Sequence, residues 1–200
     1  MNVEEDTLKE AKRTFQFATK NKGKFAEAAR IALEFGIELT QVKLDKYEIQ
    51  SDDLHKIAAV SAEHALREIG GSAILTEDAG FFIRNLGSFP GPYSSYVYRK
   101  LGVNGILKLL ENVTKREAYF ACVVAYCCRD YTKCFEGIVS GKVSLKARGR
   151  RGFGFDPIFI PNQGNGRTFG EMDIDQKNRF SHRALAFAKF CRWSKSKSAK

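Results

Sequence analysis

The run Arg116-Glu-Ala-Tyr-Phe-Ala-Cys-Val-Val-Ala-Tyr-Cys-Cys128 constrains this chain most. It is β-rich and almost continuously apolar. A half-exposed strand would alternate apolar with polar residues, so a run of this kind predicts a central strand buried on both faces. Thr132-Lys-Cys-Phe-Glu-Gly-Ile-Val139 and Gly141-Lys-Val-Ser-Leu-Lys146 do alternate, and predict two antiparallel partners with one wet face.

Helical patterns punctuate the rest. Phe25–Phe35 and Leu54–Ile69 repeat apolar residues at three and four, the second behind the capping pair Asp52 and Asp53. Ser94–Leu101 and Val103–Glu111 read as helices split by Gly102, with Ile106, Leu107, Leu109 and Leu110 as core. Thr14–Thr19 and Glu38–Leu44 read as strands, and Ser72–Leu75 as a short buried strand ending in the acids Glu77 and Asp78. Strands alternating with helices predict an α/β fold. With 200 residues and 44% apolar content, one domain over 14–192 is expected, between a polar extension (1–13) and a frayed basic tail (193–200).

No stretch reaches the eighteen or so apolar residues of a membrane span, and the amino terminus is acidic rather than signal-like, so a cytoplasmic protein is expected. Five cysteines without a Cys-x2-Cys pair read as buried reduced thiols. His55 and His64, off any common ligand spacing, read as surface or packing residues. The net charge of +10 implies an anionic partner: nucleic acid, gripped by a generic basic surface, or a metal-chelated polyphosphate in a basic cleft around a few acids.

Four segments carry candidate chemistry. Thr19-Lys-Asn-Lys-Gly-Lys24 joins a strand to a helix, where unpaired amides, the helix dipole and three lysines attract phosphate; it lacks the Walker A spacing. Glu77 and Asp78 offer hard oxygen ligands for a cation such as Mg²⁺, and the small Ala79 and Gly80 would allow a ligand close. As strand neighbours they point oppositely, so only one faces a cleft; the alternative is two solvated acids at a turn. After them, Leu86-Gly-Ser-Phe-Pro-Gly-Pro-Tyr93 is a stiff loop. Arg148-Gly-Arg-Arg-Gly-Phe-Gly-Phe-Asp-Pro suits base stacking beside positive charge, or a single Arg/Gly/Phe copy for RNA. Ser181 caps a last helix, setting His182 and Arg183 in its first turn.

Together these segments resemble the inosine triphosphate pyrophosphatase family, from about Phe15 to about Phe190. Glu-Asp-Ala-Gly followed by Leu-Gly-Ser-Phe-Pro-Gly-Pro-Tyr-Ser is similar to its signature. Thr19, Asn21, Lys24 and Glu27 stand where it carries Thr/Ser-x-Asn-x-x-Lys-x-x-Glu, Gly152-Phe-Gly-Phe-Asp-Pro resembles its Gly-Phe-Gly-Tyr/Trp-Asp-Pro, and Glu171-Met172, Lys177 and Ser181-His-Arg183 match a further segment. The resemblance implies a long mixed sheet with flanking helices, two lobes around a nucleotide-binding cleft, and hydrolysis of ITP, dITP and XTP to the monophosphate and pyrophosphate. It implies phosphate contacts from Thr19, Lys20, Asn21, Lys22, Gly23 and Lys24, stacking by Phe153 and base contacts from Lys177, His182 and Arg183, with Ala79, Gly154, Phe155 and Asp156 also binding substrate. It further implies one or more Mg²⁺ ions per subunit, with Mn²⁺ as an alternative, on Glu48 and Asp78. The expected base is Asp78, with Glu77 as second choice, and the resemblance implies a homodimer; no stable nucleic-acid partner is expected. Relatives often carry an asparagine or lysine in the helix that here reads Ala59, Ser61 and Ala62, a departure that leaves this phosphate contact open. The competing function is a basic nucleic-acid-binding module without catalysis.

Overall fold

A computed structural model describes residues 13–45 and 47–197. Most of the proposed extension, 1–13, and the end of the tail lie outside them. The elements run β1 (Arg13–Ala18), α1 (Lys22–Glu34), β2 (Ile37–Val42), α2 (Leu54–Ile69), β3 (Ala73–Ile83), β4 (Pro90–Gly91), α3 (Ser94–Leu109), β5 (Glu117–Cys128), β6 (Thr132–Val143), β7 (Phe159–Pro161), α4 (Ile174–Asn178) and α5 (His182–Ser196). The Phe89-Pro90 peptide is cis.

The strands form one sheet in the order β2-β1-β3-β5-β6-β7, with β4 on β3. β1 pairs in parallel with β2 and β3, and β5 antiparallel with β3 and β6, so the sheet is mixed. The apolar run is central and almost wholly buried, as its composition demands. On one face, α1 and α5 cover Phe17, Leu75, Cys122 and Val124. Further along that face a second core gathers Phe81 and Phe120 with Ile106, Phe155, Phe159 and Phe169. The opposite face carries α2, packed on Ile74, Phe82, Ala121 and Val123. The long strands thus carry two clusters of the core on one face and a third on the other.

Local signals set many of the ends. Asp53 caps α2 by accepting from His55 and Lys56 amides, and Gly70 closes it in the left-handed conformation. Ser181 caps α5, and Gly102 interrupts α3 with non-helical angles. Gly137 lets α5 approach β6, because a Cβ there would lie 2.1 Å from the His182 carbonyl oxygen.

Some expectations need correction. β3 does not end at Leu75 but runs through both acids to Ile83, because β5 offers an unbroken antiparallel partner from Ala73 to Ile83. The space beside Gly80 is taken by β4, where the Gly91 carbonyl oxygen lies 2.7 Å from an added Cβ, and is closed to a ligand. The two strands expected over 132–146 are one, β6, ending at Val143. Leu109 is exposed, while Ile106 and Leu110 are buried. The basic tail is helical up to Ser196, since Trp193 packs on Tyr126, Phe135 and Phe190, so the boundary at 192 falls inside α5. All five cysteines are free, with Cys122, Cys127 and Cys191 buried. Among the described residues, no helix is long and apolar enough to cross a membrane.

Candidate active site

The phosphate-loop candidate forms the start of α1. Asn21 caps the helix, its side chain accepting from the Lys24 amide at 3.0 Å, while the Thr19 hydroxyl accepts from the Asn21 amide at 3.2 Å. Lys22, Gly23 and Lys24 thus form the first helical turn, where backbone donors and the dipole favour an anion. Lys20 turns aside to an exposed pair with Asp45, and Lys22 is exposed. Lys24 points inward, its Nζ 2.7 Å from Glu77 Oε1.

Glu77 and Asp78 are both buried, mid-strand, on opposite faces of β3. They are not solvated acids at a turn. Glu77 faces α1 and α5 and belongs to a connected set of charges. Arg183 Nε donates to Glu77 Oε2 and Nη1 to Glu27 Oε2 at 2.6 Å. Lys177 Nζ donates to Glu27 Oε1 at 2.8 Å and to Asp156 Oδ2 at 2.7 Å. Three cations and three carboxylates, drawn from α1, β3, the segment before β7, α4 and α5, therefore balance inside a nearly dry space.

Burial alone would raise the carboxyls of Glu77 and Glu27, but the cations outweigh it. Arg183 and then Lys24 hold Glu77 well below the usual carboxylate range, and Lys177 and then Arg183 lower Glu27. Asp156 moves the other way, raised by burial more than Lys177 lowers it, with Glu27 adding to the rise. Lys177 stays firmly charged, because Asp156 and Glu27 overcome its burial. His182 is neutral: burial first, then Arg183 and Lys177, push it well below its usual value. Its ring stacks on Phe120 at 4.8 Å, and its buried Nδ1 has no hydrogen-bond partner among the described residues.

Phe153 joins the aromatic segment to the phosphate loop. The Lys177 and Arg183 cations lie 4.9 and 5.6 Å from its ring centroid, and a Cβ on Gly23 would come within 2.7 Å of the ring. Asp156 accepts from the Phe153 amide at 2.9 Å and sits where a Cβ on Gly152 would be, which ties this glycine (φ +74°) to that acid.

The other candidates differ in burial and setting. Phe155 is core, against Phe81 and Tyr98. Arg183 is 1% exposed, with Nε and Nη1 on carboxylates. Ala79 is half-buried against the α1/α5 core, and Gly154 has open space around it. Asp78 is 7% exposed on the α2 face, and Glu48 is exposed on the segment between β2 and α2. Glu27 had no assigned role beyond the motif. Its signal was an acid one residue before Ala28 and four before Ile31 on the packed side of α1, where burial demands partners.

The Ham1 family profile matches residues 15–193. A dITP/XTP pyrophosphatase of Saccharolobus solfataricus is 46% identical over 182 residues, 91% of this chain and 94% of that protein. One from Methanothermobacter marburgensis is 47% identical over 178 residues, 88% of this chain and 94% of its own length. Among solved structures, the Staphylococcus aureus Ham1 protein superposes with a TM-score of 0.79 at 26% identity, covering 92% of this chain and 100% of that one. The fold, the spacing of the site segments along it and these matches agree: the chain belongs to the Ham1 family.

Proposed function

We propose that this protein hydrolyses nonstandard purine nucleoside triphosphates (ITP, dITP and XTP) to the nucleoside monophosphate and pyrophosphate. The relatives named dITP/XTP pyrophosphatase support it. The observation that carries it is the contact of Gly23 with Phe153, which makes one surface of an anion-attracting helix start and a base-stacking ring.

Hydrolysis between the α and β phosphates breaks one P–O bond, adds the oxygen of water and releases a proton, which Asp78 accepts as general base. Lys22, Lys24 and the first-turn amides of α1 hold the phosphates. Phe153 takes the base, with Lys177, His182 and Arg183 lining that end. Among the described residues, no group of three or more His, Cys, Asp or Glu could hold a metal by itself. Two carboxylates, Glu48 and Asp78, suit Mg²⁺ completed by substrate phosphates, or Mn²⁺ in its place. Bound there, the ion would neutralise triphosphate charge and make water more acidic. A homodimer and a cytoplasmic setting belong to the same proposal, the latter supported by the five free thiols.

The deciding experiment measures pyrophosphate release from ITP, XTP, ATP and GTP with Mg²⁺. Turnover of ITP and XTP well above ATP and GTP is expected. No turnover together with tight RNA binding would establish the nucleic-acid module instead.

A further inference from the structure

Residues 43–53 join β2 to α2, and those described form neither helix nor strand; Glu48 lies on this segment. Without a ladder of its own, such a segment takes its geometry from side-chain tethers. Two of them come from α2. Ser61, 2% exposed, donates to the Tyr47 carbonyl at 2.8 Å. The His64 imidazole stacks on the Tyr47 ring, centroids 4.9 Å apart and planes within 14°. Leu44 packs on the same α2 and β3 core, while the pair of Lys20 with Asp45 is solvent-exposed and therefore weak.

The same helix holds β3. The Thr76 hydroxyl donates to the Ala58 carbonyl at 2.9 Å, and Thr76 shares its strand face with Asp78. Positions 58, 61 and 64, successive turns of one helix stripe, thus bind both segments that carry the proposed cation ligands. Between loop, helix and strand remains a cavity of about 10 Å³, walled by Ala18, Leu44, Ser61, His64, Ala65 and Thr76. That is room for one water at most, so the loop rests almost directly on α2 and β3.

We propose that His64 and Ser61 are positioning residues, which hold the Glu48 segment against the Asp78 face of β3 and so set the affinity for a divalent cation with its triphosphate. This rests on the assignment of Glu48 and Asp78 as cation ligands. His64 touches neither substrate nor cation; it acts through Tyr47.

The test uses Mn²⁺ as probe, its binding followed by electron paramagnetic resonance with an α,β-methylene ITP analogue present, and amide hydrogen exchange read in parallel. His64→Ala should weaken Mn²⁺ binding about tenfold or more, the scale of losing an outer-shell support, while His64→Phe, which keeps the stack, should stay within about twofold of wild type. Exchange should quicken over residues 43–50 and not over α2. Wild-type Mn²⁺ affinity in His64→Ala, or equal weakening in His64→Phe, would overturn the positioning role. A wild-type protein that binds no Mn²⁺ with the analogue would overturn the cation assignment itself, a different result from a wild type that binds and a His64→Ala variant that binds equally well.

Discussion

Lys24 Nζ lies 2.7 Å from Glu77 Oε1, so a lysine in the first turn of α1 is held by a buried strand carboxylate. Its ammonium is thereby turned toward β3 and not out into solvent. Lys24→Ala should raise KM for ITP about ten- to a hundredfold, the range for one charged hydrogen bond. Inosine binding, followed by calorimetry, should hardly change, because the nucleoside lacks phosphates; equal loss for both would place Lys24 at the base.

Glu77 is a point of charge balance, and its removal should show in stability and its pH dependence. Glu77→Gln leaves Arg183 short of one counterion and should cost about 3–5 kcal/mol at pH 7. The folded-state carboxyl titrates below its usual 4.5, so its contribution is present in full above that pH and is lost as pH falls below it. Urea unfolding should therefore show the gap between wild type and Glu77→Gln narrowing from pH 4.5 downward. A constant gap would mean the carboxylate charge does not matter.

Asp78→Asn should lower turnover by about two to four orders of magnitude with the fold retained, the scale of losing a general base. Near wild-type turnover would remove Asp78 from that role. Glu48→Gln should shift the Mg²⁺ activation curve to higher concentration, and an unchanged curve would take Glu48 out of the cation shell.

Arg183 is buried between Glu77 and Glu27, with Nε and Nη1 committed to their carboxylates. Arg183→Ala should lower the ITP and ATP rates by similar factors and reduce the melting temperature, because two carboxylates lose a partner. Rate loss confined to ITP, with melting unchanged, would return Arg183 to reading the base.

Gly23→Ala tests the joint between phosphate loop and stacking ring. The new methyl would meet the Phe153 ring at 2.7 Å and must push it aside. KM for ITP should rise several-fold while the melting temperature holds, since alanine suits a helix better than glycine. An unchanged KM would show that the position of Phe153 does not matter for substrate.

What the sequence determined by itself is local. The near-continuous apolar run could only be a doubly covered strand, and Asp53, Gly102 and Ser181 marked helix boundaries through capping and backbone preference, which act within a few residues. Period two also required Glu77 and Asp78 to part, one to each face. Nothing local could say which helix each acid would meet, because that depends on how α1, α2 and α5 pack. It was β5 pairing that carried β3 past the acids. The same packing brought Lys177 to Glu27, 150 positions away, and sealed Arg183 between two carboxylates. Buried charges are placed by long-range contacts that desolvate and pair them together, and only the tertiary structure decides those.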